Sequence, residues 1–268
     1  MIRTLALCAL AALPFATAPA QANPYANKVE ATVLPGWQNE RGDHVTALRL
    51  VLAPGWKTYW RSPGDAGIPP EFDWRGSGNL EGVALHWPTP HVFTQNGMRS
   101  VGYKHGVTLP ITVRPLEPDK PVELRGQIQI GICKDICVPV SLDVTSLLTD
   151  SGAKNPQIAA ALADQPMEAR KGGVKDVRCE VSATGNGLIV RAAVILPHAG
   201  GAEDAVMETS DPQVWVSEPV TRRTGDTLWI EAEMEHVSGR AFALNRSGVR
   251  LTVLGSTRAV DITGCPAK

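Results

Sequence analysis

Short stretches of alternating apolar and polar residues, with glycine and proline between many of them, recur along most of this chain. Three of them are KVEATVL at 28–34, VTALRLVL at 45–52 and VELRGQIQIGI at 122–132. An alternation with a period of two residues is typical of strands that bury one face. The 25 Gly and 21 Pro of the 268 residues are scattered, as in a protein with many turns. The sequence therefore predicts an all-β protein.

The strand pattern is lost once, between residues 146 and 173. Within this stretch Asn155 can cap a short helix that has Pro156 at its first position and residues 157–164 as its body. The β pattern then resumes at a spacing typical of a sandwich. We therefore predict two β-sandwich domains, at 23–148 and 172–268, joined by a short helical linker at 149–171.

Residues 1–22 have the organisation of a secretory signal peptide. Arg3 provides a positive start, an apolar run follows at 5–15, and Ala20-Gln21-Ala22 is a small-residue cleavage site. The run is too short for a membrane anchor, so we expect an exported protein with no membrane span. The net charge of −1 gives no indication of nucleic-acid binding.

Removal of the signal peptide takes Cys8 with it and leaves an even number of cysteines. In an exported protein this indicates disulfides, and the close spacing of Cys133 and Cys137 favours 133–137 and 179–265 among the three possible connectivities. Cys179 alternates with apolar residues and is predicted to point inward, while the direction of Cys265 is undecided. We expect Cys179 and Cys265 to form a structural disulfide; a second redox pair is the alternative.

Cys133 and Cys137 flank a three-residue turn in the stretch GICKDICVPV. Strand alternation puts both on the polar face of their strands, which predicts an accessible pair at a hairpin tip. Lys134 would favour a thiolate there and Asp135 would oppose it, so the thiol pKa is not fixed by the sequence.

Three roles for the pair remain open from the residues alone. A structural staple would gain little, because cross-linking so short a loop removes little entropy. Two thiolates could hold Cu(I), with His105 and Met98 as candidates to fold nearby. An accessible pair could also exchange electrons with thiols of other proteins.

Other features carry less chemical information. Trp37, Trp56, Trp60, Trp74 and Trp87 lie close together in the sequence, and could fill a sandwich core or form a partner surface. No metalloprotease, phosphate-binding or hydrolase motif is present, and no flavin, nicotinamide or metal motif is visible. We therefore expect no cofactor, and Cu(I) only if the metal role holds.

Several motifs, in the same order along the chain, resemble those of a known family. The stretches PGWKTYWRSPGDAGIPPEFDW, GVALHWPTP, VGY and GICKDICVPV resemble the N-terminal periplasmic domain of the thiol:disulfide interchange protein DsbD. The resemblance is strongest to the branch that includes the copper-sensitivity suppressor ScsB. The later stretches LNRSGVRLTVLG and AVDITGC resemble the second sandwich of that branch.

The resemblance implies immunoglobulin-like sandwiches in the periplasm and a redox-active Cys133–Cys137 pair. In the family, this domain takes electrons from a donor and reduces exported partners. Cys137 is the preferred attacking residue on this basis. Shielding residues in the family suggest Tyr59, Asp65 and Tyr103, besides Lys134 and Asp135, as neighbours of the site.

The resemblance also implies partners. Full-length members continue into a membrane segment and a thioredoxin-like domain, which this sequence does not show. We therefore expect a separate thioredoxin-like or membrane-embedded electron donor, with exported thioredoxin-fold or disulfide-bonded proteins as acceptors. The alternative is a non-catalytic binding module that sequesters copper or docks on a redox partner.

Overall fold

The computed structural model describes residues 23–95, 97–149 and 152–267. The protein is all-β, as the alternation predicts, and consists of two immunoglobulin-like sandwiches. The predicted signal peptide at 1–22 lies outside the described residues. Among the described residues, no helix is both long and apolar enough to cross a bilayer.

The strands of the first sandwich lie between Val29 and Leu148. In chain order they are β1 (Val29–Gln38), β2 (His44–Leu52), β3 (Lys57–Tyr59), β4 (Glu71–Asp73), β5 (Leu80–Leu85), β6 (His91–Gln95), β7 (Met98–Lys104), β8 (Gly106–Pro115), β9 (Val122–Cys133) and β10 (Cys137–Leu148). One sheet has the order β1-β2-β8-β5. The other has the order β10-β9-β3-β7-β6, and β4 also pairs with β9.

The core of the first sandwich lies between these two sheets. Burial alternates along β9 as the sequence predicts, with Ile128, Ile130 and Ile132 facing inward. They pack with Leu48 and Leu109 from the opposite sheet. The strand pattern at 122–132 therefore reflects a sheet with one face in the core and one face outward.

The predicted helix forms at the expected place, as α1 (Pro156–Ala163). The Asn155 side chain accepts a hydrogen bond from the backbone N–H of Gln157 and so caps the helix. Ile158 is fully buried against Val45 and Ala47 of β2. The helix is therefore packed on the first sandwich and is not a free tether.

The strands of the second sandwich lie between Met167 and Thr263. In chain order they are β11 (Met167–Glu168), β12 (Asp176–Thr184), β13 (Gly187–Ile195), β14 (Asp204–Glu208), β15 (Val214–Val216), β16 (Val220–Thr224), β17 (Thr227–His236), β18 (Arg250–Leu254) and β19 (Ala259–Thr263). One sheet has the order β11-β19-β18-β14. The other has the order β12-β13-β17-β15, and β16 also pairs with β17.

The start of the second sandwich differs from the predicted linker. Met167–Glu168 falls inside the predicted range 149–171, yet it forms an edge strand parallel to β19. Two residues are too few to show a period of two, so this strand leaves no pattern in the sequence. The turn between β12 and β13 lies at Gly185-Asn186.

A disulfide joins the first long strand of the second sandwich to the end of the chain. Cys179 and Cys265 have Cα atoms 5.4 Å apart, and each is 1% exposed. Arg246 reinforces the junction, because its Nη1 donates to both cysteine carbonyl oxygens, at 3.1 and 3.3 Å. Burial of both sulfurs favours a structural role over redox exchange.

Replacing Cys179 and Cys265 together with alanine should lower the free energy of unfolding by about 4–5 kcal/mol, the chain-entropy value for a loop of this length. The two cysteines are 86 positions apart. Urea denaturation without reductant measures the loss. The control replaces Cys133 and Cys137, which are 4 positions apart and should cost only about 2 kcal/mol. Equal losses in the two variants would contradict the prediction.

Candidate functional site

Cys133 and Cys137 end two strands that pair with each other. Cys133 is the last residue of β9, Cys137 is the first of β10, and the two are direct partners in the antiparallel register. Their Cα atoms are 4.1 Å apart and a disulfide joins them. The turn closes with a 3.1 Å hydrogen bond from Lys134 N to Ile136 O. The hairpin therefore holds both sulfurs together at its tip.

The two cysteines differ in exposure. Cys133 is only 3% exposed, whereas Cys137 is exposed. The expectation that both would be accessible is therefore wrong for Cys133. The reason is the position of each strand, because β9 pairs with both β10 and β3 while β10 is the edge of its sheet. The sulfur of Cys137 is therefore accessible to other molecules at the hairpin tip, whereas that of Cys133 is buried.

Two lysines lie in the same cross-strand row as the two cysteines. Lys57 of β3 is the direct partner of Cys133 on one side and of Lys104 on the other. Direct partners share a face, so all four residues lie on the outer face, away from the core. Both ammonium groups lie 5.2 Å from the centre of the Phe93 ring. Burial, and then the charge of Lys104, lower the pKa of Lys57.

These lysines set the charge of the outer face near the pair. Positive charge on the face favours a thiolate over a thiol once the disulfide is reduced.

Tyr59 and Ile68 pack on the outer face next to the cysteines. A Cβ atom added to Gly131 would lie 2.6 Å from Cβ of Ile68 and 2.8 Å from the Tyr59 ring. Gly131 precedes Cys133 by two residues and therefore shares its face. Tyr59 is 3% exposed, and this burial raises the pKa of its phenol. Only a residue without a side chain allows both groups to lie so close to β9.

Ile68 belongs to residues 61–70, which leave the sheet after β3 and return to it at β4. We call these residues the 61–70 segment. The hydroxyl of Tyr59 donates to the carbonyl oxygen of Ala66, at 3.5 Å, and so links the segment to β3. The segment therefore lies along the outer face beside the disulfide.

The predicted neighbours have different positions. Tyr59 lies beside the site, Asp65 is exposed on the 61–70 segment, and Lys134 and Asp135 are exposed in the turn between the cysteines. Tyr103 does not belong to the outer face. It is the direct partner of Thr58, which in turn is opposite Ile132 of the core.

Tyr103 has a structural role within the sandwich. Its hydroxyl donates to the carbonyl oxygen of Pro88 at 2.8 Å, and burial raises the pKa of the phenol above its usual range. The residues that the sequence analysis missed are Lys57, Ile68 and Lys104. Finding them requires the β3–β9 register, which pairs residues more than 70 positions apart.

The described residues offer no cluster of further ligands that would support the metal-binding alternative. No group of three or more His, Cys, Asp or Glu side chains with ligand geometry occurs in the part of the chain that the structure describes. Met98 and Lys104 are at opposite ends of β7, so Met98 lies away from the end that is paired with Cys133.

The first sandwich is thus a β-sandwich domain with a cysteine pair across a hairpin tip, in which one cysteine is exposed and the other is buried. Residues 30–149 match the family model of the thiol:disulfide interchange protein DsbD, N-terminal. This part of the chain is a DsbD N-terminal-like domain.

The fold of the whole chain is similar to that of a solved relative. The crystal structure of the N-terminal periplasmic domain of ScsB from Proteus mirabilis matches with a TM-score of 0.69 and 22% sequence identity. The match covers 92% of this chain and 97% of that chain, so both sandwiches share its fold. No curated protein matches this chain.

Replacing Gly131 with alanine should displace Ile68 and Tyr59 and lower the free energy of unfolding by about 1–3 kcal/mol, the usual cost of overpacking. Urea denaturation measures the change. Gly82 of β5 is the matched control, because an added Cβ there meets no atom within 4 Å. Equal stability of the two alanine variants would show that the outer face beside Cys133 is not tightly packed.

Proposed function

We propose that this chain is a periplasmic thiol:disulfide interchange protein that reduces exported partners through Cys133 and Cys137. The observation that carries the proposal is the unequal exposure of a cross-strand pair in a DsbD N-terminal-like domain. An exchange reaction needs one sulfur that a partner reaches and a second close enough to complete the reaction. Cys137 and Cys133 meet these two requirements respectively.

Reduction of a partner proceeds in two displacements. The Cys137 thiolate attacks one sulfur of the partner's disulfide, and the other partner sulfur leaves as a thiolate. Cys133, whose Cα lies 4.1 Å from that of Cys137, then attacks the Cys137 sulfur as a thiolate. The 133–137 bond forms again and the second partner thiolate leaves, so two electrons pass from this chain to the partner.

The oxidised pair is reduced again through the same exposed sulfur, that of Cys137. A thiolate of a donor dithiol attacks Cys137, and the electron pair of the 133–137 bond goes to Cys133. The second donor thiol then displaces Cys137 and leaves the donor oxidised. A thioredoxin-like or membrane-embedded protein fits the donor, and exported thioredoxin-fold or disulfide-bonded proteins fit the acceptor.

The hairpin tip itself supports docking of a partner. Ile136 is 48% exposed and directly precedes Cys137. In the proposed reaction, this exposed apolar side chain beside the Cys137 sulfur is available for contact with the partner. The resemblance to the ScsB branch suggests that the acceptor acts in copper tolerance.

Replacing Cys133 with serine should trap the first intermediate, because the mixed disulfide at Cys137 then has no resolving thiol. The partner is a purified, oxidised thioredoxin-fold protein of the bacterial periplasm, and the readout is a covalent complex on a non-reducing gel. Cys137→Ser is the matched control and should give little complex, because its remaining thiol is buried.

Two results would count against this proposal. Equal trapping by both variants would contradict the assignment of Cys137 as the attacking residue. No complex with either variant, together with stoichiometric Cu(I) binding that needs both thiols, would favour the copper-binding alternative.

A further inference from the structure

The 61–70 segment begins where the two sandwiches meet. Trp60, which directly precedes it, is fully buried and packs with Val206, Leu254 and Ala259 of the second sandwich. These three residues belong to β14, β18 and β19, so the contact spans three of the four strands of one sheet of that sandwich. The start of the segment is therefore fixed by a second domain and not by the first sandwich alone.

Arg61, the first residue of the segment, forms a bidentate ion pair with Glu208 of β14. Its Nε donates to Oε1 at 2.9 Å and its Nη2 donates to Oε2 at 2.8 Å. The side chains are only 14% and 20% exposed, so water screens the pair weakly. The Arg61 guanidinium also lies 3.8 Å from the centre of the Trp60 ring. Two parallel hydrogen bonds fix both the distance and the direction of Arg61.

The strand beneath the segment is attached to the second sandwich as well. The backbone N–H of Val101 in β7 donates to the carbonyl oxygen of Pro63, at 2.8 Å. Arg99 of the same strand is 8% exposed, and its Nη2 donates to the carbonyl oxygen of Ala205, at 2.9 Å. Both the segment and its support therefore depend on contacts with β14.

The other end of the segment reaches the cysteine face. Ile68 lies against Gly131, two residues before Cys133 on the same face. A continuous set of contacts thus runs from Glu208 through Arg61 and the 61–70 segment to the surroundings of Cys133.

We infer that Arg61 is a positioning residue through which Glu208 of the second sandwich holds the 61–70 segment against the cysteine face. In this position the segment keeps Cys133 buried and leaves Cys137 as the sulfur that other thiols reach. The functional meaning of this inference rests on the proposed exchange function. The contacts of Arg61 and the burial of Cys133 do not depend on that function.

The choice of sulfur matters for the outcome of exchange. A donor thiolate that attacks Cys137 breaks the 133–137 bond and leaves the electron pair on Cys133. Attack on Cys133 would leave the electron pair on Cys137 and place the mixed disulfide on the buried sulfur. The second sandwich therefore favours the order of reaction in which the intermediate forms at the exposed position.

The test measures the alkylation rate of Cys133 with iodoacetamide in the reduced full chain that carries Cys137→Ser. Replacing Arg61 with methionine, or Glu208 with glutamine, should raise this rate by about fivefold or more, the usual lower range of coupling between sites. Arg61→Lys keeps one charge contact and should restore much of the protection. The rate at Cys137 in the Cys133→Ser chain should stay within twofold.

Arg223→Met is the matched control. Arg223 forms a similarly buried ion pair with Glu203 inside the second sandwich, with Nη2 2.7 Å from Oε1, and its Nη1 donates to the carbonyl oxygen of Leu196 in the same sandwich. It should leave the Cys133 rate unchanged. An unchanged rate in both Arg61→Met and Glu208→Gln would overturn the inference, and so would an equal increase in Arg223→Met. No partner protein enters the measurement, so its outcome is independent of the trapping experiment.

Discussion

The pairing of β9 with β10 runs in register from Val122–Leu148 to Cys133–Cys137. Because the two strands have different positions in the sheet, one cysteine is enclosed and the other lies at an edge. The disulfide, the buried sulfur of Cys133 and the exposed sulfur of Cys137 all depend on this register. A shift of one residue would turn the side chains to the other face and place Ile132 outward.

Packing on the outer face of the sheet also shapes the surroundings of the cysteine pair. Gly131 has no side chain, and this lets Tyr59 and Ile68 lie against β9 next to the disulfide. The 61–70 segment that carries Ile68 starts at a buried contact with the second sandwich. The second sandwich contains no accessible cysteine among its described residues, because Cys179 and Cys265 are buried. In our proposal, the second sandwich contributes to the site through the position of that segment.

Local sequence patterns predicted the parts of the structure that depend on near neighbours. The alternation along 122–132 predicted which residues of β9 face the core, and Asn155-Pro156 predicted the start of α1. The cysteine parity correctly placed both sulfurs on the outer face. The burial of Cys133 was not predictable, because it depends on the pairing of β9 with β3, which lies far away in the sequence.

Long-range register also explains the other differences. Tyr103 was expected beside the pair because aromatic and acidic residues shield the cysteines in the family, but its pairing with Thr58 turns it toward the core. Trp56 and Trp60 are buried, which agrees with the core alternative for the tryptophans. For Trp60, however, that core includes residues of the second sandwich, and no pattern within either domain indicates such a contact.

The measurement that tests the central claim most directly is the reduction potential of the Cys133–Cys137 pair, obtained by equilibrating the protein with dithiothreitol and glutathione redox buffers. A pair that exchanges electrons should have a potential between about −120 and −270 mV, the range of known exchange proteins. A value below about −300 mV, which is typical of structural disulfides, would contradict the account. The hairpin would then be a staple, and the exposed sulfur of Cys137 would have no part in electron transfer.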